Sequence, residues 1–343
     1  MKERLLRWAP FVGYPVFFVF CLLLFSVLLF PYDSLKERIV GTYNAQQRGP
    51  NAQALEIDEL RGSWLTGVHA SGVRLLSPPS EAGKAPSKIE IDDATVRYSV
   101  FSAMVGSTSV SFDVFGMGGE VTGRFESNGK DKKLEATIDS VELGEFEPLA
   151  GLLGIPIAGK LGGEIHLEMP EGKASKASGS IALDARDVSV GDGKAKIKGT
   201  LALPKVEVGG LTLAAEAKDG VLKISKLVAG GKDVEVQGEG RVTMRDVTMD
   251  SICDAQVRFK INDSYRTRSD ITKSLFGAPG SSMPALFELA DPRIKQSKRA
   301  DGFYGWNLRG VLGRLDFTAA GGGGGGGGAA QGFPGMMGGR QGP

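Results

Sequence analysis

The stretch GKLGGEIHLEM, residues 159–169, alternates between apolar or small residues and charged ones. In an extended chain successive side chains point to opposite faces of the sheet, so Leu161, Ile165 and Leu167 share one face and Glu164 and His166 lie on the other. The pattern predicts a half-buried antiparallel strand. It raises the question of what covers the apolar face.

The same alternation recurs along the chain and predicts a protein built mainly of β-strands. The clearest strands are SVSFDVF (109–115), EVTGRFE (120–126), LEATI (134–138), KIKGTLAL (196–203), LTLAAEAK (211–218) and KDVEVQGEGRVTM (232–244). Turn signals such as SNGK, GDGK and GGKD stand between them, so short hairpins should join most strands. Glycines recur in mid-strand, as in VEVQGEGRV (234–242), and predict bulges or sharp curvature of the sheet.

Few helices are expected after the N-terminal region. The candidates are DSLKERIVGTYNAQ (33–46), FEPLAGLLG (146–154), SDITKSLFG (269–277) and SMPALFELA (282–290). With so few helices, the apolar face must close onto another sheet, curl into a barrel-like shape, or stay partly open to something apolar. We expect an ordinary closed core between sheets, with an open groove as the alternative.

The N-terminal region carries a candidate membrane anchor. The run from Trp8 to Tyr32 contains no Asp, Glu, Lys or Arg, and as a helix it would be about 37 Å long, enough to span a bilayer. A cleaved signal peptide is the alternative, but LLFPYDSLKER offers no small-x-small cleavage site. Lys2, Arg4 and Arg7 precede the run, which favours a cytoplasmic N-terminus and a periplasmic remainder.

These observations divide the chain into four parts. Residues 1–32 are the cytoplasmic start and transmembrane anchor, 33–50 a juxtamembrane helix or linker, 51–318 a periplasmic β-rich domain, and 319–343 a disordered tail. The tail follows from the run Gly321–Gly328 and its flanks, which cannot bury enough surface to offset the entropy of ordering.

Charge and cysteine usage exclude some function classes. The 41 Lys and Arg residues nearly balance the 40 Asp and Glu residues, so there is no basic field of the kind that attracts nucleic acid. Cys21 lies in the anchor and Cys253 far along the chain, so a disulfide between them is not expected. Cys253 shares a strand face with apolar residues and is expected to be a buried thiol.

The inventory of catalytic residues is poor. The two histidines, His69 and His166, have no H-E-x-x-H context, and His166 should face solvent. GMGGEVTG (116–123) resembles a phosphate loop but opens a strand, which favours a hairpin turn. Asp92 and Asp93 are adjacent and should point to opposite faces, so they cannot act as an acid and base pair. We therefore predict no enzyme, and no catalytic, cofactor-binding or metal residues.

Several stretches resemble known envelope proteins. LEIDELRGSWLTGVHASGVRLL (55–76) and IPIAGKLGGEIHLEM (155–169) resemble AsmA-type β-groove repeats. Closer similarity, to the long, N-terminally anchored form of the protein N family of the type II secretion system, lies in three stretches: LRGSWLTGVHASGVRL (60–75), DGVLKISKLVAGGKDVEVQGEGRV (219–242) and FELADPRIKQSKRADGFYGWNLRGVL (287–312).

The resemblance implies an elongated, curved antiparallel β domain, either an AsmA-like groove or a sandwich. It further implies a non-enzymatic inner-membrane component of the machine that exports folded proteins from the periplasm, with other secretion components as partners and no cofactor. The AsmA-type likeness implies an alternative, a module that binds or transfers phospholipid.

Overall fold

The computed structural model describes residues 14–22, 24–25, 29–47, 53–63, 66–78, 87–99, 102, 106–146, 156–193, 196–197, 201–202, 204–247, 250–280, 285–312 and 314–321. Much of the predicted anchor, most of the expected helix at 146–154 and the tail from residue 322 lie outside these ranges.

The protein is mainly β, with one antiparallel sheet of 14 strands and a separate pair of two-residue strands. The strands are β1 Ala54–Ser63, β2 Gly67–Ser77, β3 Ser87–Tyr98, β4 Ser107–Gly116, β5 Gly119–Asn128, β6 Asp131–Glu142, β7 Ile157–Met169, β8 Ser178–Val190, β9 Lys196–Ile197, β10 Leu201–Ala202, β11 Val206–Lys218, β12 Val221–Gly230, β13 Val234–Thr243, β14 Ile252–Ile261, β15 Tyr304–Val311 and β16 Arg314–Ala319. In the large sheet each strand pairs with the next in sequence, with β8 followed directly by β11. The first and last strands are not paired with each other, so the sheet is open.

The predicted strands are confirmed with one exception. KIKGTLAL was expected as a single strand, but its described residues form β9 and β10, which pair with each other. The predicted hairpin turn in GMGGEVTG is confirmed, because β4 ends at Gly116 and β5 begins at Gly119.

Mid-strand glycines coincide with irregular pairing, as expected. Gly159 has a φ of 145° and lies where the β7–β8 register shifts between Ala158 and Lys160. Gly209 has a φ of 72°, and the β8–β11 register shifts on both sides of it. Such bulges bend the sheet and increase its twist.

The helices are short: α1 Tyr32–Gln46, α2 Asp263–Arg266, α3 Asp270–Phe276, α4 Leu286–Ala290 and α5 Pro292–Ser297. The expected helices at 33–46, 269–277 and 282–290 correspond to α1, α3 and α4. A reciprocal capping box between Ser269 and Thr272 begins α3. Residues 14–22 and 24–25 are also helical. Among the described residues, no helix combines the length and the apolar character needed to cross a membrane.

The two ends of the sheet differ. At the end we call the turn end, short connections join β1 to β2, β5 to β6 and β11 to β12. At the opposite end, the cap end, helices α2 to α5 fill the long connection from β14 to β15. Helix α1 begins at the turn end, where the Tyr32 hydroxyl lies against Gly62 near the end of β1.

The expected closed core between two sheets is wrong for the part of the chain that the structure describes. There is one large sheet, and Leu161, Ile165 and Leu167 are only half-buried. The two clusters of fully buried apolar residues lie near the cap end, and one of them contains Val188, Val208 and Val234. Alternation predicts which side chains share a face, but it carries no information on whether another layer covers that face.

Candidate functional site: the apolar sheet face

Directly paired residues lie on the same face of a sheet, so the register identifies every neighbour of Ile165. The row through Ile165 contains apolar residues or glycine in all fourteen strands. From β1 to β16 it comprises Gly62, Val68, Val96, Phe112, Gly123, Ala136, Ile165, Ile181, Ala215, Ile224, Gly240, Ala255, Leu308 and Phe317.

A second row runs beside the first and has the same character. It comprises Leu60, Ala70, Ala94, Val114, Val121, Ile138, Gly163, Leu183, Leu213, Leu227, Gly238, Val257, Trp306 and Ala319. Together the two rows define what we call the apolar face, which continues without a polar side chain from the first strand to the last.

The opposite face is polar. The row through His166 comprises Arg97, Ser111, Arg124, Glu135, His166, Ser180, Glu216, Lys223, Arg241, Asp254, Arg309 and Asp316. Within it the Asp254 carboxylate pairs with Arg241 at 3.4 Å and with Arg309 at 3.1 Å. The sheet is therefore amphipathic over its whole width, and its polar side is suited to water.

The apolar face is half-buried: most residues of its two rows have intermediate burial, so they are neither sealed in a core nor fully exposed. In the row through Ile165 only Ala215 is fully buried, whereas Phe317 is 52% exposed. Covering apolar surface contributes about 25 cal/mol per Å², and soluble monomers rarely expose continuous apolar areas of this extent. The face therefore favours an apolar ligand or an apolar partner.

Bulky side chains lie over glycines on this face. A Cβ added to Gly123 would come within 2.4 Å of the Phe112 ring, and one added to Gly238 within 2.7 Å of Leu227. Large side chains at these positions would collide with their neighbours, so the glycines let the larger residues lie flat. They provide a reason, beyond curvature, for the repeated mid-strand glycines.

An aromatic cluster closes the cap end of the face. The Phe259 ring stacks on Tyr304 with centroids 5.4 Å apart, and Phe287 meets Tyr304 edge-on at 5.8 Å. Phe276 continues the cluster to Phe287 at 5.4 Å and to Tyr265 at 5.6 Å. These rings join the sheet to helices α2, α3 and α4, so beside β14 and β15 the apolar face is bounded at this end by packed helices.

Asp233 anchors the helices at the cap end. Its side chain is 0% exposed and pairs with the guanidinium of Arg268, which is 39% exposed. It also accepts a hydrogen bond from the Glu207 backbone N–H at 2.8 Å. The neighbouring Tyr265 hydroxyl donates to the Pro204 carbonyl at 2.9 Å, and burial, with a smaller contribution from the Asp233 charge, raises the pKa of Tyr265 to about 12.

Glu288 forms a second buried polar contact at the cap end. Its carboxylate, with a side chain 7% exposed, accepts hydrogen bonds from the Lys298 ammonium at 2.6 Å and from the Tyr304 hydroxyl at 2.8 Å. Burial opposes ionisation, but the hydrogen bonds from Lys298 and Tyr304 outweigh it and lower the pKa of Glu288 below its ordinary value of 4.5. The carboxylate is therefore the form that stabilises the cap.

We expect Glu288→Gln to destabilise the protein by about 1–2 kcal/mol at pH 7, because the amide loses the charged hydrogen bond from Lys298. A depressed pKa stabilises the fold above the unfolded-state pKa, and this contribution is lost as the pH falls through the folded-state pKa. The stability gap between wild type and variant should therefore narrow below about pH 4.5.

Denaturant unfolding from pH 3 to pH 7 measures the gap. Glu216→Gln, on the exposed polar face, is the control. A gap that is independent of pH would contradict the assignment.

The residues singled out from the sequence do not come together as a catalytic site. His166 is exposed on the polar face, as predicted. His69 lies 3.0 Å from the Asp93 carboxylate and 3.0 Å from the Thr95 hydroxyl. Cys253 is buried, as predicted, and burial raises the pKa of its thiol. No group of metal-ligating residues occurs in the described ranges.

Among several cavities in the described residues, one of about 420 Å³ is lined in part by Gln237, Gln256 and Arg258 on the polar face. The Arg258 guanidinium already contacts the Gln237 side-chain oxygen at 2.6 Å and Asp301 at 3.6 Å. It also lies over the Phe303 ring at 4.9 Å. Because this cation is used within the fold, the apolar face is the stronger candidate for a functional surface.

Sequence reasoning missed Asp233 and Glu288. Asp233 meets Arg268 across 35 positions of sequence, and no local pattern indicates such a pair.

Comparison of the chain with protein-family models, curated proteins and solved structures finds no match. Fold and site define a class, an amphipathic single-sheet antiparallel β protein with one end capped by helices.

Proposed function

We propose that the chain is a non-enzymatic component of the bacterial type II secretion system. Residues 8–32 would anchor it in the inner membrane, with a cytoplasmic N-terminus, and the sheet would lie in the periplasm. The similarity of residues 60–75, 219–242 and 287–312 to the protein N family supports this assignment. The large apolar side chains of the described helical residues 14–22, such as Phe17 and Phe18, are exposed, which suits a helix that faces lipid.

The observation that carries a structural role is the attachment of the sheet to α1, the helix that directly follows the proposed anchor. The Asn44 side-chain amide bonds both backbone groups of Leu55 in β1, at 2.8 Å and 3.2 Å. Lys36 donates to the Asp58 carbonyl at 3.1 Å. Because α1 also directly precedes β1 in the chain, the 14-stranded sheet would stay tethered beside the membrane even when these contacts open, and it would present a long surface to other envelope proteins.

The three stretches that resemble protein N all build packed structure. Residues 60–75 form most of the β1–β2 hairpin, 219–242 form β12 and most of β13, and 287–312 form most of α4, α5 and β15. Glu288 and Tyr304, which bond each other at the cap end, belong to the last stretch. Their placement supports a scaffold role for these residues.

The proposed function is tested by deleting the gene in the source bacterium and measuring export of type II substrates into the medium. We expect substrates to accumulate in the periplasm, and the wild-type chain to restore export. A complementing chain that lacks residues 1–32 and enters the periplasm through a cleavable signal should fail, because the sheet would no longer be held at the membrane. Unchanged export in the deletion strain would refute the assignment.

The apolar face supports a second candidate function, binding or transfer of phospholipid. Beside β14 and β15 the face is bounded by helices at the cap end, whereas α1, and with it the proposed anchor, begins at the turn end. Acyl chains that left the inner membrane would therefore meet the uncapped end of the face. The two candidates are separated by measuring both export and bound phospholipid for an Ile165→Asp chain in the deletion strain. Export that is restored by a chain without bound lipid favours an assembly role, and loss of both together favours a lipid role.

A further inference from the structure

The two edges of the sheet differ in how far other parts of the chain cover them. The outer edge of β1 is covered by α1, whose Asn44 amide bonds the Leu55 backbone as a neighbouring strand would. At the other edge, residues 314–319 of β16 pair with β15, and their outer backbone groups make no hydrogen bond within the described part of the chain. Helix α5 lies near β16, with the Gln296 backbone against Gly321 just after the strand. The outer backbone groups of β16 nevertheless stay unpaired in the described residues, and such an edge is a template for another strand.

Helix α1, which covers the outer edge of β1, is held there by few contacts. Helix α1 has no buried residue and no side-chain cap at Pro31, and an isolated helix of this length is marginal in water. Its hydrogen bonds to the β1 backbone come from Lys36 and Asn44 and are solvent-exposed. A longer, part-buried bond of 3.4 Å joins the Tyr43 hydroxyl to the Gln53 side chain, just before β1. Displacing α1 therefore costs little packing and frees the β1 backbone.

We propose that β16 of one copy pairs with β1 of a second copy when α1 moves aside, so that the chain assembles head to tail into a longer sheet. The strand directions fit this arrangement. In an antiparallel sheet of 14 strands the first and last strands run in opposite directions, so β1 of a second copy continues the alternation with its turn end on the same side. Both copies can then be anchored in one membrane, a point that rests on the proposed anchor.

Pairing of β16 with β16 of a second copy would not keep the turn ends of the two copies on the same side. Two antiparallel β16 strands would place the turn ends of the two copies at opposite ends of the joint sheet. The two anchors would then point away from each other, and one membrane could not hold both.

Charge and hydrophobicity select a register for the head-to-tail pair. Placing Asp316 opposite Arg61 also places Phe317 opposite Leu60, so the polar and apolar faces both continue across the junction. In the monomer Asp316 is the last residue of the polar row, in which acidic and basic side chains alternate from Asp254 to Arg309 to Asp316. A shift of two residues in one direction would place Asp316 opposite Glu59, which like charges disfavour, and in the other direction opposite Ser63, which offers no opposite charge.

Disulfide trapping with the full chain in detergent tests the proposal. In a background with Cys21→Ala and Cys253→Ala, one tagged chain carries Arg61→Cys and a differently tagged chain carries Asp316→Cys. Directly opposite strand residues lie within disulfide reach. We expect the mixed disulfide to form several-fold more when both chains also carry Lys36→Ala and Asn44→Ala. Glu37→Ala with Gln46→Ala, on the same helix but outside these bonds, is the matched control and should leave the yield low.

A second measurement does not depend on cysteine. In the Lys36→Ala and Asn44→Ala background, sedimentation velocity should show association that falls with Asp316→Arg and returns with Asp316→Arg plus Arg61→Asp. A disulfide between two Asp316→Cys chains, or no mixed disulfide above the control, would overturn the proposal. The disulfide and sedimentation measurements do not depend on export or lipid binding. A negative result would therefore refute the head-to-tail assembly and leave the proposed function untouched, and loss of the proposed function would not refute the assembly.

Discussion

Replacing Asp233 by Ala is expected to open the cap end of the protein and to lower the free energy of unfolding by about 2–4 kcal/mol. The substitution removes a fully buried carboxylate and leaves the Glu207 N–H and the Arg268 guanidinium without their partner. Arg268 is partly exposed and can recover water, which keeps the loss below that of a completely buried ion pair. Since α2 and α3 are short, they should detach from the sheet first.

Hydrogen exchange of residues 262–276, together with denaturant unfolding, measures this effect. Asp270→Ala is the control, because the Asp270 side chain is 99% exposed and, among the described residues, pairs only with the nearby Lys273 on the same helix. The free energy of unfolding should therefore fall by no more than about 0.5 kcal/mol in this variant. Equal stability losses for the two variants would show that Asp233 does not hold the cap.

Replacing Ile165 by Asp is expected to leave the protein folded and to abolish binding of acyl chains. Ile165 lies in the middle of the apolar face, between Ala136 and Ile181, and is half-buried. An aspartate there can reach water, so the cost to folding should be that of an ordinary substitution, about 1–2 kcal/mol. A charge in the path of an acyl chain would instead have to be desolvated or displaced.

The matched control is Ser180→Asp, which adds the same charge to the polar face of the adjacent strand β8. Both full-length variants and wild type are purified in a mild detergent, compared by circular dichroism and extracted for lipid analysis by mass spectrometry. Wild type and Ser180→Asp should retain phospholipid that Ile165→Asp lacks. An Ile165→Asp chain that fails to fold would indicate a covered face, contrary to the structure.

Local pattern was sufficient to predict the strands and most of their connections. β7 is an example, because every second residue from Leu161 to Met169 is apolar or glycine, and this spacing fits only an extended chain. The pattern failed at KIKGTLAL, where the segment folds back as β9 and β10. A two-residue strand is too short for periodicity to mark.

The layer structure and the polar contacts could not be derived from the sequence. A half-buried strand in a sandwich and a strand in an open sheet have the same alternation, so Ile165 gave no sign of its exposure. The Glu288 contacts join residues 10 and 16 positions apart through the turns of α4 and α5. Such contacts depend on how the helices dock, which local propensity does not encode.

The central claim is that the apolar face is accessible to apolar molecules, with acyl chains as the probe, and Trp306 provides the most direct test. It lies on this face beside Val257 and Ala319. In a chain whose other two tryptophans are changed by Trp8→Phe and Trp64→Phe, fluorescence is recorded during titration with phosphatidylcholine carrying brominated acyl chains. We predict saturable quenching of Trp306. A Trp306→Leu, Asn307→Trp chain, with its single tryptophan on the polar face, should be quenched much less. Equal quenching of the two, or none for Trp306, would contradict the account.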